Sequence, residues 1–395
     1  MERIVLHIDV NNAFLSWTAV DMLKKGSKID IRNRYAIIGG DESKRRGIVL
    51  AKSNPAKSKG VTTAEPIYMA RRKCPYLEIY EPNYALYKTY SNLMYNYLLQ
   101  YTNIIERYSI DECFLEYTDI KKINGDPVKF AYKIKNDIYK LFGFTVNVGV
   151  ANNKLCAKMA SDFSKPNKVH TLFNNEIKEK MWPLPVGDLF MIGKSTTKKL
   201  QSLNINTIYD LANTSTTTLI THFKSMGIMM HEYANGIDNS KVEYEYENPK
   251  SISTSTVLPY DYSDLSKIES IIKELSLETG KRLRKKEMYA SSISIWIKYN
   301  NFTKISKQQK LENSTNIDID IFKNALNLFK KIWNEEPIRA LCVGVSNLST
   351  TKNTQLSIFD TVNPKSEDKL QKTIDNIKEK YGSSSITYAN DKINK

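Results

Sequence analysis

Twice along this chain the hydrophobic period switches between two and 3.6 in the same order, and few architectures accept that order. The segment from Arg3 to Val10 alternates, with Ile4, Leu6 and Ile8 on one face and Val5, His7 and Asp9 on the other. Asn11 and Asn12 are cap candidates for a helical run from Ala13 to about Leu23. A mixed basic region follows, with one expected strand at Ile48 to Lys52, and then a Tyr-rich helix over 84–101 whose tyrosines read as packing residues. A hairpin (Ile104 to Tyr108, then 108–117), a helix (Pro127 to Leu141), a strand (Thr145 to Ala151) and a helix (Lys154 to Phe163) come next. Strand–helix–strand–strand–helix–strand is a split βαβ arrangement, a mostly antiparallel sheet covered on one face. From Lys250 the order returns: strand 251–258, helix 264–285, strands 289–299 and 302–311, helix 319–334 and strand 338–348. The fold class is therefore α+β, with several domains.

Between the two repeats, from about Pro166, Leu189 to Ala212 has the layout of a helix–hairpin–helix. Its tight turn falls at Ile192, Gly193 and Lys194, and Asn204 breaks its first helix. Turn amides and a helix N-terminus of this kind make a preformed phosphate site. Residues 236–249, with the acidic run VEYEYE, read as a linker. The tail beyond Thr350 is polar apart from QLSIF and an amphipathic stretch (Leu370, Ile374, Ile377, Tyr381) that reads as a surface helix.

Charge narrows the partners. The 58 Lys and Arg residues against 43 Asp and Glu leave +15, which favours a polyanion, nucleic acid or an acidic membrane. Lys far outnumbers Arg, so a biased genome explains the same excess. Among the basic residues of the second repeat, Lys298, Lys304 and Lys307 fall on an expected sheet edge or face, which suits tracking of a phosphate backbone. Four scattered cysteines at no ligand spacing argue against a zinc site or a disulfide framework and for a cytosolic protein. The N-terminus lacks the layout of a signal peptide, and no run approaches 18 apolar residues, so no membrane contact is expected.

The residues that carry chemistry are acids. Asp9 ends the first strand, and YSIDECFLEY (108–117) sets Asp111 beside Glu112. Neighbours on a strand point to opposite faces, so one of the two would head inward at a cost of several kcal/mol. At a hairpin tip the pleat relaxes and both can turn to one site, where cations offset their repulsion. Hard carboxylate oxygens suit two Mg²⁺ ions, with Mn²⁺ as a substitute, clamping the attacking and leaving oxygens of a phosphoryl transfer. The alternative is that Asp111 and Glu112 are turn and surface acids.

HIDVNNAF (7–14), YSIDECFLEY and NKLCAKMASDFSKPNKVH (153–170), in their order and spacing, resemble the Y-family translesion DNA polymerases, the group of DNA polymerase IV and the UmuC-like proteins. The likeness runs from residue 1 to about 348. It implies a palm (1–10 and 78–165), small fingers (11–77), a helical thumb with the helix–hairpin–helix (166–235), a linker (236–249), a ferredoxin-like little finger (250–348) and a polar tail (349–395). It implies that Asp9 and Asp111 bridge both metals, that Glu112 holds the catalytic one, and that the Val10 carbonyl completes the nucleotide metal. Phe14 resembles the steric gate that rejects a 2′-hydroxyl, and Lys165 resembles the triphosphate-binding lysine. Asn54 and Lys57 stand where the family usually has Asn-Tyr-x-Ala-Arg, so stacking and a bidentate fork are both lost there and weaker nucleotide affinity is expected. Met191 replaces a frequent Gly in the hairpin, and Asn204 another. Gly193 and Lys194 would meet DNA. Gln355, Leu356, Ile358 and Phe359 resemble the bacterial sliding-clamp-binding motif, with Leu356 and Phe359 as anchors.

The expected function is template-directed transfer from a dNTP to a primer 3′-hydroxyl on primer–template DNA. The protein would work as a cytoplasmic monomer, in damage bypass, with low fidelity and no proofreading. Two other readings are a catalytically silent, clamp-tethered DNA-binding protein and another two-metal palm enzyme such as a nucleotide cyclase. The three acids oppose the first. The helix–hairpin–helix and the basic C-terminal repeat oppose the second.

Overall fold

The structure, a computed structural model, describes residues 2–42, 45, 47–244, 248–352, 364–382 and 385–386. It divides into two compact units, Met1–Asp41 with Gly47–Tyr246, and Glu42–Arg46 with Glu247–Lys395.

The first unit opens with β1 (Val5–Val10) and α1 (Ala13–Lys24). A small sheet follows, built from β2 (Ala36–Gly39), β3 (Val49–Lys52) and, beyond α2 (Asn54–Ser58) and α3 (Ile67–Lys73), β4 (Glu78–Tyr80); its order is β3-β2-β4. The sequence pattern showed β3 but not β2, which is buried at every position, or β4, whose three residues are all half-buried, so neither displays an alternation. Next come α4 (Tyr84–Leu98), β5 (Ile105–Arg107), β6 (Glu112–Glu116), the short α5 (Lys121–Asn124), α6 (Pro127–Phe142), β7 (Val146–Ala151), α7 (Lys154–Asp162) and β8 (Val169–Leu172).

The main sheet runs β5-β6-β1-β7-β8, antiparallel except for the β7–β8 pair. It continues past Pro166, where a new unit was expected to begin. It is also covered on both faces, not one. Leu6, Ile8 and Val10 join Val146, Val148 and Val150 under α4 and α6, while Val5 and Phe114 pack with Leu155, Ala157 and Ala160 of α7 on the other side. Close approach of α7 depends on Gly149, where a Cβ would lie 1.9 Å from the Ala157 carbonyl oxygen.

Helices α8 (Ile177–Lys180), α9 (Lys194–Gln201), α10 (Ile208–Asn213), α11 (Thr216–Phe223) and α12 (Ser225–Ala234) share the second of these cores. The hairpin before α9 has Met191 at φ 71°, and Asn204 sits at φ 60°. The expected linker does not hang free at its start. The Asp238 carboxylate accepts from the Leu155 amide at 3.0 Å, the Arg3 guanidinium donates to the Ser240 carbonyl at 2.8 Å, and Val242 is buried.

In the second unit, β9 (Ser251–Tyr262), α13 (Leu265–Lys285), β10 (Tyr289–Tyr299), β11 (Lys304–Thr315), α14 (Asp318–Lys330) and β12 (Ile338–Ser349) follow the expected order. The sheet is β11-β10-β12-β9, every neighbouring pair antiparallel, so two split βαβ units interleave with the second and fourth strands at the centre. Helix α15 (Pro364–Tyr381) is tied to this unit by polar groups, with Ile374 and Ile377 half-buried. The Arg284 guanidinium donates to both Asp375 oxygens and to Asp318, and Gln371 donates to Asp318 at 2.8 Å. Leu370 and Tyr381 stay exposed.

Candidate active site

The end of β1 and the start of β6 set the acids side by side. Asp9 is the register partner of Glu112, and the Val10 amide donates to the Asp111 carbonyl at 3.1 Å. Asp111 lies in the turn just before β6, so the alternation that seemed to force one acid inward does not apply to it. Ser109 Oγ–H donates to Asp111 Oδ1 at 2.6 Å. Burial pushes the Asp111 carboxyl above its ordinary value, and the charges of Asp9 and Glu112 add to that.

Lysines meet these acids from α7 and the loop beyond it. Lys158 Nζ stands 2.9 Å from Glu112 Oε1, 3.4 Å from Asp162 Oδ2 and 3.7 Å from Asp9 Oδ2. Lys165 Nζ is 2.5 Å from Asp9 Oδ2 and 2.8 Å from Asp162 Oδ1. Burial opposes the charge of each lysine, but Asp9 and its neighbours hold both pKa values above the ordinary one. Burial would also raise Glu112, yet His7 and Lys158 hold it down to about 2. Burial holds the fully buried His7 below the ordinary histidine range. Its Nδ1 meets Ser161 Oγ at 2.8 Å, and its Nε2 faces Glu112 Oε2 at 3.5 Å.

The acids and Lys165 line a cavity of about 440 Å³ together with Val10, Phe14, Lys52, Lys57, Thr63, Lys158 and Asp162. The chain reaches Phe14 through Asn12, whose left-handed backbone (φ 48°) turns β1 sharply into α1. The Phe14 ring lies on Tyr87 of α4 and edge-on to Tyr84. Asn54, the first residue of α2, is exposed and does not line the cavity. Lys158 and Asp162 escaped the sequence reading, although 158, 162 and 165 follow helical spacing within the motif that drew attention to Lys165. Lys52 and Thr63 gave no such signal.

The acids could hold a hard divalent cation: the donors are carboxylate oxygens, and Asp111 carries the repulsion of Asp9 and Glu112, relieved in part by Ser109. Among the described residues, however, no three acidic, cysteine or imidazole side chains form a ready-made metal cage. Asp9 and Glu112 are turned onto lysines, and Asp111 onto Ser109.

The expected DNA-contact residues lie elsewhere. Gly193 caps α9 and Lys194 begins it. In the second unit Lys298 and Lys304 are direct cross-strand partners, with Lys304 Nζ 4.2 Å from the Trp296 ring centroid. Lys307 pairs with the core residue Ile295 and so stands on the opposite, helix-covered face, apart from the other two. Gln355, Leu356, Ile358 and Phe359 lie outside the described residues.

Comparison with known proteins gives three family matches: the impB/mucB/samB family over residues 8–162, its C-terminal domain over 249–358, and the IMS family HHH motif over 174–205. A DNA polymerase IV of Clostridium acetobutylicum is 46% identical over 387 residues, 98% of this chain and 97% of that protein. One of Acetivibrio thermocellus is 34% identical, over 98% of this chain and 96% of its own. A solved Y-family DNA polymerase chimera superposes with a TM-score of 0.75, covering 87% of this chain and 98% of its own at 23% identity, a likeness of fold.

Proposed function

This chain belongs to the impB/mucB/samB family, the Y-family DNA polymerases of the DNA polymerase IV type, and on that premise we propose how its own residues carry the reaction. The activity is DNA-directed DNA synthesis of the translesion type on primer–template DNA with dNTP substrates, and the family uses divalent metal ions. We assign the metals as two Mg²⁺ ions, with Mn²⁺ as a substitute, held by Asp9, Asp111, Glu112 and the Val10 carbonyl. When bound, they lower the charge on the transferring phosphate and on the departing pyrophosphate.

The remaining steps fall to side chains around the same cavity. Lys165 and Lys57 offset the triphosphate charge, Lys57 as a point charge without a bidentate fork. Phe14, backed by Tyr87, sets a flat apolar wall against the sugar, where a 2′-hydroxyl would lose its hydration without gaining a partner. Residues 1–10 and 78–165 then act as palm, 11–77 as fingers and 166–235 as thumb, with β8 carrying the palm sheet a little further. Gly193 and Lys194, and Lys298 with Lys304, track the DNA backbone, while Lys307 serves from the sheet edge. The observation that carries this reading is the meeting of Asp9, Asp111 and Glu112 with Phe14, Lys57 and Lys165 around one cavity.

Primer extension tests it. Wild type should extend with Mg²⁺, Asp111→Ala should not, and Phe14→Ala should accept ribonucleotides. Full extension by Asp111→Ala would remove that residue from the reaction. The QLSIF segment is assigned to a sliding clamp, and Leu356→Ala with Phe359→Ala should abolish retention on immobilised clamp while leaving unassisted extension intact. We assign the protein to the cytoplasm as a monomer; among the described residues no helix is long and apolar enough to cross a membrane.

A further inference from the structure

Lys158 is the best-buried cation of the first unit's cavity, and its ammonium faces three carboxylates. Its Nζ lies within 4 Å of Glu112, Asp162 and Asp9, from a side chain only 11% exposed. Two of those acids are the ones assigned to metal. The third, Asp162, sits one helical turn further along α7, is 46% exposed and meets both Lys158 and Lys165, so it offers a second partner for the ammonium.

We propose that Lys158 is a built-in counter-cation that competes with the metal ions for Glu112 and Asp9. It thereby makes tight metal loading wait for the nucleotide. The inference rests on the metal assignment above and deepens it. A carboxylate cluster alone in a half-buried cavity would attract divalent cations strongly, because low local dielectric magnifies the attraction. With Lys158 in place, the first metal must displace an ammonium from Glu112 and accept a positive neighbour. The triphosphate supplies the negative charge that reverses this balance, and Asp162 receives Lys158 when Glu112 is taken. The role is positional: Lys158 acts through the acids and does not need to touch substrate.

The test compares wild type, Lys158→Met and Lys158→Arg without nucleotide, by calorimetric titration with Mg²⁺ or Ca²⁺ and by the cation-induced rise in melting temperature. Lys158→Met should bind the cation with a midpoint lower by about tenfold or more, because a nearby unit charge is removed. It should also melt lower in chelator than wild type. Lys158→Arg should behave as wild type. A folded Lys158→Met whose midpoint is unchanged or higher would overturn the inference, since a merely structural lysine does not oppose metal.

A second measurement uses wild type and survives a variant that fails to fold. After reductive ¹³C-methylation, the Lys158 methyl signals, assigned by their absence from Lys158→Arg, should shift when Mg²⁺ is added. Signals that do not respond would overturn the inference. If no form binds cation even with dNTP present, the metal assignment itself falls and takes this inference with it. Binding by wild type without tightening in Lys158→Met sinks this inference alone.

Discussion

Phe14 lies flat on Tyr87, ring centroids 4.5 Å apart and planes 7° from parallel, and the Tyr87 hydroxyl is 3.1 Å from Thr18 Oγ1 on the same helix as Phe14. The wall of the cavity is thus a stacked pair in which the fully buried member fixes the half-buried one. Tyr87→Leu should let Phe14 rotate and raise ribonucleotide incorporation, at a stability cost of about 2–4 kcal/mol. Tyr87→Phe keeps the ring and should cost about 1 kcal/mol or less, with sugar selection unchanged. Competitive incorporation of matched dNTP and rNTP distinguishes the two; equal selectivity in both variants would mean Tyr87 does not hold the gate.

Asp111 and Glu112 are neighbours with opposite effects on stability. Glu112 is held at about 2, below the ordinary glutamate value, so its ionised form favours folding above that value and the contribution disappears as pH falls towards 2. Asp111 is raised, so its ionised form opposes folding at neutral pH, and the opposition vanishes at pH below its ordinary value. In chelator at pH 7, Asp111→Asn should therefore raise the melting temperature and Glu112→Gln should lower it. Matching shifts of the same sign would show that the two acids do not differ in this way.

Met191 holds a left-handed backbone at φ 71° with its side chain more than half exposed. Such a conformation costs a side-chain-bearing residue about 1–2 kcal/mol. Met191→Gly should stabilise the first unit by about 1 kcal/mol once the entropy of the new glycine is set against the relief. Urea titration reads this directly, and a loss of stability would mean the exposed thioether makes contacts worth more than the strain.

Nucleotide affinity in the fingers should depend on one of the two departures. Lys57 lines the cavity whereas Asn54 does not. Lys57→Arg alone should lower the Michaelis constant for dNTP several-fold through a bidentate phosphate contact, about 1–2 kcal/mol. Asn54→Tyr alone should change it little. Steady-state kinetics on the two single variants would refute this if their order were reversed.

Helix α15 is tied to its unit by an ion pair and a polar hydrogen bond. Arg284 and Asp318 are buried, and Asp375 is the partner that ties the helix to them. Asp375→Ala should expose the amides of 364–381 to hydrogen exchange and cost about 1–3 kcal/mol. Gly280→Ala should do at least as much damage, because its Cβ would meet Asp318 Oδ1 at 2.1 Å. Unchanged exchange in both variants would show that other contacts hold the helix.

Much of this was readable from the sequence where a period or a motif was long enough. The two βαββαβ passes and the acids Asp9, Asp111 and Glu112 came from such runs, while Phe14 and Lys165 came from the family resemblance that the motifs carry. What stayed hidden had physical reasons. β2 is buried at every position and β4 is half-buried throughout, so neither shows the alternation that marks a strand. The split βαβ order suggested one covered face, but small residues of α7 and Gly149 let a helix cover the second. The helix α15 displayed apolar residues, yet Asp375 and Gln371 dock it, because Arg284 lies 91 residues from Asp375 in the chain. Lys158 carried no signal of its own, because the three carboxylates around it come from β1, β6 and α7.

Gly149 has a consequence for descent as well as for packing. The atom a Cβ would strike belongs to the backbone of Ala157, so no second substitution at residue 157 can make room. Any larger residue at this position pushes α7 off the sheet and carries Lys158 away from Asp9 and Glu112. Lineages that retain this fold are therefore free to retune the charges hung on α7 but not the gap beneath it, and diversification of rate or metal preference must proceed through side chains on a spacing that cannot drift.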